Sequence, residues 1–402
     1  MTRRTPRLLA LLFVVGPATL PAQRFAAVDA AVVAGIRQGT YPGAVVVVGR
    51  GDSVLYAKGY GHITWNTRDR RPSPATTLWD LASLSKVVGT ASSAAVLVDR
   101  GRLDLDAPVH SYLPEFTGGA KDSVTVRMLL NHTSGLPAWA PIWRMAVTPA
   151  DAETALYSIP LSRSPGLQAE YSDLNALLMG LVVSRVAGAP LDAFARDAVF
   201  APLGMGMTMY QPEAADRTRA MPTRKSDGRA KLGIVNDENA RAFNGVAGHA
   251  GIFSTGLDLA RFAQAWLTDV TKAHLAWLTP PTLAEFIARS SNSGSRALGW
   301  DTPRVATDGG PSLYGRCATS GTVGHTGWTG TALWIDPSAD LFVILLTNRS
   351  YAPRNPTASF EQMRLVRARV SDAARRALGG CAPVSPALVS PPLVSPGGRH
   401  PD

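Results

Sequence analysis

The sequence predicts an α+β fold: an antiparallel β-sheet formed by the N- and C-terminal segments, flanked by helices, with a helical subdomain inserted between them. Strand-like runs rich in β-branched residues lie near both ends of the 402-residue chain, whereas helical periodicities occupy its middle. This separation of strands and helices is typical of α+β folds. Apolar residues make up 46% of the chain, which is enough for a sizeable core, and 17% charged residues is too few for a disordered bulk.

The N-terminal elements begin with a helix over residues 28–38, which apolar residues spaced four apart predict. Two β-rich runs in GAVVVVGRGDSVLYAKGYG then flank Gly51-Asp52, which indicates a hairpin. A helical pattern rich in Ala, Ser and Val extends from Leu78 to Arg100. Turns and a short helix in GRLDLDAPVHSYLPEF follow, and a helix is predicted over 126–131.

The later elements return from helices to strands. A helix over 173–187 is closed by Gly188, and GHAGIFSTGLDLARFAQAWL indicates a short strand followed by a helix. Two β runs, 329–335 and 341–347, are separated by a turn that opens at Asp336-Pro337. A last helix is predicted over 359–379.

The two ends of the chain predict segments outside the folded domain, which we assign to residues 23–380. Residues 1–22 carry arginines, an apolar run from Leu8 to Val15 and then small residues, the layout of a secretory signal peptide cleaved after Ala22. The run is too short to span a bilayer, so we expect a periplasmic or secreted protein with no integral membrane span after processing. An uncleaved N-terminal anchor is the alternative. Residues 381–402, rich in Pro and Ser, are predicted to be a disordered tail.

The net charge of +10 suits an anionic partner, but we favour the alternative that arginines near the end of the chain lie on a solvated helix. No nucleic-acid-binding motif accompanies them, so we expect no nucleic acid partner. Cys317 and Cys381 are the only cysteines, and the sequence leaves open whether they pair. Two cysteines are too few for a structural zinc site, and no histidine and carboxylate spacing is typical of a metal site. We therefore expect neither a metal nor another cofactor.

The segment LASLSK, residues 81–86, places Ser83 three residues before Lys86, on one face of the predicted helix. A serine nucleophile needs a neighbouring base and a site that stabilises an oxyanion. A lysine is such a base only where its pKa is lowered, as burial and a second cation would do. Alternatively, the two residues are a polar pair on a helix surface. Ser85 is a rival nucleophile, but Lys86, as its immediate neighbour, would point elsewhere.

Two further stretches favour the catalytic interpretation: AEYSDLNALL places Tyr171 at the entrance of a helix, and VGHTGWTG places His325 on a strand beside a turn. SLSK, YSD and HTG stand in the order and approximate spacing of the three motifs of class C-type serine β-lactamases, DD-peptidases and related esterases. LLNHTSGLP, PLGM, GHAGIFST and LTNR also resemble the beta-lactamase-related branch of this superfamily. The resemblance covers residues 28–379 and implies a β-lactamase/DD-peptidase-like fold.

The resemblance implies a role for each matching residue. Ser83 would be the acylated nucleophile, Lys86 would share or relay its proton, and Tyr171 would be the second base and the acid for the leaving group. A lysine ammonium beside Tyr171 would make its phenolate more accessible. The N–H groups of Ser83 and Trp328 would form the oxyanion hole. The substrate-binding residues would be Asp173, His325, Thr326, Gly327 and Trp328.

Two positions depart from the family pattern. His325 replaces the usual lysine of the third motif, and a neutral imidazole would hold a substrate carboxylate less firmly, which argues against efficient β-lactam hydrolysis. Asp173 replaces the usual asparagine, and its carboxylate would repel an anionic substrate and hold Lys86 as a cation. Asn175 is the nearest substitute but is expected to point in another direction. Gly327 would let a substrate backbone approach the strand.

The remaining polar and aromatic residues are expected to be structural. His132 and His249 would be hydrogen-bonded loop residues. Asp237 and Glu238 would cap a helix or, alternatively, line the cleft. Trp300 would either fill the core or form a cleft wall.

The resemblance thus implies a secreted serine hydrolase that forms an acyl-enzyme on Ser83 and cleaves a small ester or a D-amino-acid-type amide or peptide, peptidoglycan-derived ones included. Esterase, DD-peptidase and β-lactamase activities share this scaffold. The alternative is a protein that binds penicillin or peptidoglycan fragments with little turnover. A polyanion-binding protein with an idle hydrolase fold ranks lowest.

Overall fold

The computed structural model describes residues 21–226, 229–267, 277–290, 292–303 and 312–381. The predicted signal peptide, apart from its last two residues, and the predicted tail, apart from Cys381, lie outside the described residues. Within the described part of the chain, no single helix is both long and apolar enough to cross a membrane; the segments Asp173–Ala187 and Leu191–Phe200 meet that test only as a pair bent by 76°.

One five-stranded antiparallel sheet joins the two ends of the chain, as predicted. The strands are β1 Gly43–Arg50, β2 Ser53–Gly61, β3 Trp79–Asp80, β4 Met209–Tyr210, β5 Arg224–Ser226, β6 Arg229–Lys231, β7 Ile252–Ser254, β8 Val323–Thr326, β9 Ala332–Asp336 and β10 Leu341–Thr347. The large sheet has the order β2–β1–β10–β9–β8, and its β1–β2 hairpin turns at Gly51-Asp52 as predicted. The valines 45–48 of β1 are buried on alternating faces, because both faces of the sheet are covered.

Helices cover the sheet and form the inserted subdomain. They are α1 Pro21–Arg24, α2 Ala26–Arg37, α3 Ser92–Asp99, α4 Val126–Leu130, α5 Ile142–Met145, α6 Pro149–Ser158, α7 Asp173–Ala187, α8 Leu191–Ala195, α9 Ala214–Arg217, α10 Glu238–Ala242, α11 Gly256–Leu267, α12 Pro280–Ile287 and α13 Ser359–Ala377. Helices α2 and α13 pack together over one face of the sheet, and α11 packs on the other. Helix α7 begins at the capping residue Ser172 and ends at Gly188 in the left-handed conformation, as the sequence predicts.

The predicted helix from Leu78 to Arg100 is wrong at its start. Leu78 makes an isolated bridge, and β3 pairs with β7, with Trp79 opposite Ser254. Burial of the Trp79 side chain in the core therefore overrides the local helical pattern. Helical structure begins only with the 3₁₀ turn Ala82–Leu84, continues as the π-helical segment Lys86–Ala91 and ends with α3.

The C-terminal arginines form a solvated face only in part: Arg369 and Arg376 are exposed, whereas two others are not. Arg367 and Arg375 of α13 are buried, and Arg375 forms a buried ion pair with Asp336 at the end of β9. Cys317 and Cys381 form a disulfide, which settles the question that the sequence left open. The bond ties the end of α13 to the segment that precedes β8.

Candidate active site

Ser83 lies in the 3₁₀ turn Ala82–Leu84, directly after β3, where the backbone is held in an unusual conformation. Ala82 has φ of 47°, a left-handed value that is costly for a residue with a Cβ. The buried Asp80 carboxylate holds this conformation by accepting hydrogen bonds from Ala82 N at 2.9 Å and from Asn236 N at 2.7 Å. Burial raises the pKa of Asp80 to about 6, against these two hydrogen bonds, which lower it. The strained turn leaves the Ser83 side chain half-buried at the cleft.

Lys86 lies one turn after Ser83, and its buried ammonium group contacts three acceptors. Nζ is 3.1 Å from Ser83 Oγ, 2.7 Å from Asp173 Oδ1 and 3.2 Å from the His249 carbonyl oxygen. Burial lowers the pKa of Lys86, but the charge of Asp173 and the interaction with Tyr171 oppose it, and the net pKa is raised. Burial thus acts on the Lys86 pKa in the expected direction, but the net lowering that a lysine base requires is not present. The expectation that Asp173 holds Lys86 as a cation agrees with this geometry.

Tyr171 immediately precedes Ser172, the capping residue of α7, and its ring lies among polar and cationic groups. Lys86 Nζ is 5.0 Å and Arg296 Cζ is 4.9 Å from the ring centroid, and the rings of His132 and His325 lie at 4.9 and 5.8 Å. Burial raises the pKa of the phenol; Lys86 and a hydrogen bond with Ser83 lower it, but the net pKa stays raised. Lys86 therefore acts on the phenol pKa in the expected direction, but burial outweighs it in the resting site.

His325 lies on β8, as predicted, with its imidazole buried beside the cleft. Its Nδ1 is 2.9 Å from the carbonyl oxygen of Thr326, and since a carbonyl only accepts, Nδ1 carries the proton. Burial, together with the charges of Lys86 and Arg296, places the pKa of His325 well below 6.5. The ring is thus neutral at pH 7, and its Nε2, which has no partner among the described atoms, is an acceptor.

Gly327 and Trp328 form the turn that follows β8 and faces Ser83. A Cβ at Gly327 would lie 2.4 Å from the Leu81 carbonyl oxygen, so the turn packs directly against the segment before Ser83. This close backbone contact is a structural reason for the glycine, besides the substrate approach that the sequence suggested. Within the described residues, neither Ser83 N nor Trp328 N donates to a backbone carbonyl. The two N–H groups are available to an oxyanion.

The site opens into a cleft of about 830 Å³ that contains every predicted site residue except the buried Lys86. Exposed aromatic side chains line it: Trp139, and also Trp328 and Phe360, whose ring centroids are 6.1 Å apart. Trp328 is therefore a cleft wall, whereas Trp300 is fully buried and belongs to the core.

The sequence missed Arg296 as a residue of this cleft. Its side chain lines the cleft beside Tyr171, and its nearest carboxylate oxygen, Asp301 Oδ1, lies 3.8 Å from Nε. The fold brings the arginine to the site across more than a hundred residues of chain from Tyr171. Its position before ALGW does not distinguish it from the other arginines of the sequence.

The residues expected to be structural form hydrogen bonds with the segments that carry the site residues. His132 Nδ1 accepts a hydrogen bond from Ser172 N at 3.1 Å, and burial lowers its pKa well below 6.5. Asn175 is buried and bonded to Ser134, so it does not take the place of Asp173.

His249 joins the site through two contacts. Its carbonyl accepts from Lys86, and its Nε2 is 2.8 Å from Asp237 Oδ1. Asp237 caps α10 and also lines the cleft, so both expectations for it agree with the structure. Donor atoms of Asp173, Asp237 and His249 lie within 4.8 Å of one another, a grouping that sequence spacing did not reveal. The Lys86 ammonium already bonds Asp173 within this group and acts on Asp237 to lower its pKa.

Comparison with known proteins gives consistent matches over most of the chain. The model of the Beta-lactamase family matches residues 28–368. The chain is 30% identical over 351 residues to the N-acetylmuramyl-L-alanine amidase of Bacillus subtilis (strain 168), covering 78% of each protein. It is 28% identical over 347 residues to the "Putative D-alanyl-D-alanine carboxypeptidase" of Escherichia coli (strain K12), covering 78% of this chain and 80% of the relative.

Solved structures are similar in fold. EstCE1, a hydrolase with promiscuous acyltransferase activity, matches with a TM-score of 0.68 and 22% identity over 88% of this chain and 98% of its own. A penicillin-binding protein homologue from Caulobacter crescentus matches with a TM-score of 0.69 and 22% identity over 88% and 97%. These likenesses establish the fold that the sequence resemblance implied.

Proposed function

The chain belongs to the beta-lactamase family of serine hydrolases, and we propose that it is a secreted member that forms an acyl-enzyme on Ser83 and cleaves a small ester or a D-amino-acid-type amide. The observation that carries the proposal is the contact of 3.1 Å between Ser83 Oγ and Lys86 Nζ, beside Tyr171 and open to a cleft. A serine outside an active site has no need of a buried ammonium group on one side and free N–H groups on the other.

Proton transfer in this mechanism runs through Tyr171. Because all three Lys86 protons are donated to acceptors, Lys86 acts as a fixed cation and the Ser83 proton goes to the phenolate form of Tyr171. The Ser83 oxygen attacks the substrate carbonyl carbon, and Tyr171 then returns the proton to the leaving alcohol or amine. In the second half, Tyr171 takes a proton from water, hydroxide attacks the acyl carbon, and the proton returns to Ser83 as the acid leaves.

The substrate class follows from the charges at the cleft. Neutral His325 offers only an acceptor at Nε2. Of the arginines that line the cleft, Arg364 pairs with Glu361 and Arg367 bonds two carbonyl oxygens. We therefore assign Arg296 as the cation that pairs with a substrate carboxylate. The names of two relatives, an N-acetylmuramyl-L-alanine amidase and a D-alanyl-D-alanine carboxypeptidase, support a substrate derived from peptidoglycan. The aromatic side chains that line the cleft favour a substrate with an apolar group. A periplasmic or secreted location agrees with such a substrate and with the predicted signal peptide.

The test is hydrolysis of a short-chain chromogenic ester and of an N-acylated D-Ala-D-Ala peptide by the mature protein and by its Ser83→Ala variant. We expect multiple turnovers by the wild type and none by the variant. A matched control is Ser93→Ala, which changes a buried serine of α3 away from the cleft. Equal activity in wild type and Ser83→Ala would remove Ser83 as nucleophile.

One observation favours the second candidate, a protein that binds penicillin or peptidoglycan fragments with little turnover. Burial and Asp173 both raise the pKa of Tyr171, which leaves little phenolate to deprotonate the hydrolytic water. A stoichiometric burst followed by near-zero turnover, with an acyl group on Ser83 in the mass spectrum, would identify this candidate. Steady turnover of either substrate excludes it.

A further inference from the structure

We infer that the buried Arg367 of α13 is a positioning residue: it holds the Gly327–Trp328 peptide so that the Trp328 N–H faces the cleft as an oxyanion donor. The inference rests on the proposed function, because it assigns a role in the same reaction. Arg367 Nη2 donates to the Gly327 carbonyl oxygen at 2.6 Å and to the Thr331 carbonyl oxygen at 3.0 Å.

The geometry of one peptide bond connects these contacts to the cleft. The Gly327 C=O and the Trp328 N–H belong to the same planar trans peptide and point in opposite directions. Because the Gly327 carbonyl bonds the Arg367 guanidinium, the Trp328 N–H points away from that guanidinium. Trp328 and Ser83 both line the cleft. The Gly330 N–H also donates to the Gly327 oxygen, at 3.0 Å, so the turn and Arg367 hold the peptide together.

A second contact fixes the next peptide in the same way. Arg349 Nε donates to the Trp328 carbonyl oxygen at 3.0 Å, and its guanidinium stacks on the Trp328 indole at 4.5 Å. Arg367 and Arg349 thus bond the consecutive carbonyl groups of Gly327 and Trp328 in one turn. Glycine is required at position 327 by its contact with Leu81, and a glycine leaves the adjoining peptide free to rotate. A hydrogen bond from outside the turn, such as that of Arg367, is therefore needed to keep this peptide in one orientation.

The same turn is tied to the segment that carries Ser83. Thr329 Oγ1 donates to the Asp80 carbonyl oxygen at 2.8 Å, and Thr331 Oγ1 donates to the Leu81 carbonyl oxygen at 2.9 Å. These bonds fix the separation between the two proposed oxyanion donors, and Arg367 fixes the orientation of one of them. Preorganised donors of this kind act on the transition state more than on the bound substrate.

Arg367 is also unusual for a buried arginine. No described carboxylate forms an ion pair with it, and its charge is met by carbonyl oxygens alone. Arg375, two turns later on the same helix, is equally buried but pairs with Asp336. A purely structural arginine is expected to have a counter-ion, as Arg375 does. Arg367 also lines the cleft, and a guanidinium without a carboxylate partner beside the oxyanion turn is consistent with a functional role.

The experiment compares Arg367→Gln and Arg367→Lys with the matched control Arg375→Gln, using the chromogenic ester at temperatures below the lowest melting point. We expect kcat to fall about 10- to 100-fold in Arg367→Gln, less than the roughly 10²–10³-fold cost of removing an oxyanion donor, because the N–H itself remains. KM should stay within about twofold. Arg367→Lys keeps one donor and should recover part of the loss. Arg375→Gln should lower the melting temperature without a selective loss of kcat.

A boronic acid provides the second measurement, because its adduct with Ser83 places an oxygen in the oxyanion site. Its affinity should fall by the same factor as kcat/KM in Arg367→Gln and stay unchanged in Arg375→Gln. An unchanged kcat in Arg367→Gln, or equal losses in both variants, overturns the inference. Activity that survives Ser83→Ala overturns the proposed function instead, so the two failures are distinguishable.

Discussion

Asp173 Oδ1 lies 2.7 Å from Lys86 Nζ, an ion pair in which the ammonium is buried and the carboxylate is mostly buried. Lys86 also contacts Ser83 Oγ, and the charges of both Lys86 and Asp173 act on the Tyr171 phenol. The carboxylate raises the pKa of Lys86 and of Tyr171 alike, because it stabilises the ammonium and opposes a phenolate. In the family pattern this position is a neutral asparagine, so Asp173 makes the proposed base, Tyr171, harder to deprotonate than an asparagine would.

Replacing Asp173 with asparagine should shift the pH dependence of hydrolysis to lower pH. Without the carboxylate, the pKa values of Lys86 and Tyr171 both fall, and the phenolate that accepts the Ser83 proton forms at lower pH. The rising limb of kcat/KM against pH should move by about 1 unit to the acidic side, within the range of close charge effects. Activity at pH 7 should therefore increase.

The control is Asp106→Asn, which removes a carboxylate from an exposed ion pair with Arg127. Its pH profile should match that of the wild type. A limb that stays in place, or moves to higher pH, in Asp173→Asn would show that the carboxylate does not govern the proton acceptor.

Tyr171→Phe should abolish most turnover while leaving the fold intact. The change removes only the phenol oxygen, which we propose as base and acid, and keeps the ring among its neighbours. Loss of general acid–base catalysis typically costs 10²–10⁴-fold, and we expect a fall in kcat of about that size. Tyr210→Phe is the matched control, since its hydroxyl is buried beside the Ala247 carbonyl. An unchanged kcat in Tyr171→Phe would exclude the phenol from the mechanism.

The sequence predicted the fold well because its signals are local. The β-branched run after Gly43 and the run before Asn348 identify the sheet strands, and Gly188 marks the end of α7. The start of the helix at Leu78 was predicted wrongly because the strand there depends on β7, more than 170 residues away. The local propensity of a segment contains no information about pairing with such a distant strand.

The site was predicted from motifs, but its electrostatics were not. The order of the motifs predicts that Ser83, Lys86 and Tyr171 share one site, and they lie together in the structure. The sign of the Lys86 pKa shift depends on whether burial or the charge of Asp173 dominates. The distance between Lys86 Nζ and Asp173 Oδ1 decides that, and the sequence does not give it. Arg367 and Arg296 were missed because their partners are a carbonyl and a ring brought close by folding, which no spacing in the sequence records.

Removing the disulfide with Cys381→Ser should lower stability without changing catalysis. The bond closes a segment with a sequence separation of 64 residues, for which the loop-entropy relation gives about 4 kcal/mol. We expect a lower melting temperature in denaturant-free buffer and a kcat equal to that of the wild type. Wild-type protein treated with reductant should behave like the variant, and a melting temperature that neither treatment changes would contradict the prediction.

Arg296→Gln should selectively weaken the binding of substrates that end in a carboxylate. Arg296 is the proposed partner of that group because His325 is neutral at pH 7, and a hydrogen bond to a charged group contributes about 1.5–3 kcal/mol. KM for a D-Ala-D-Ala peptide should therefore rise about 10- to 100-fold, whereas KM for the same peptide with a C-terminal amide, and for the neutral ester, should change little.

The comparison between acid and amide separates recognition of charge from a general disturbance of the cleft. Arg289→Gln is the control, because Arg289 is exposed and is not among the residues that line the cleft. Equal losses for acid and amide in Arg296→Gln would mean that the arginine supports the Tyr171 ring rather than binding the carboxylate. Independently of Arg296, a His325→Lys change should lower KM only for substrates that end in a carboxylate. It places a cation at the position where the family pattern has lysine.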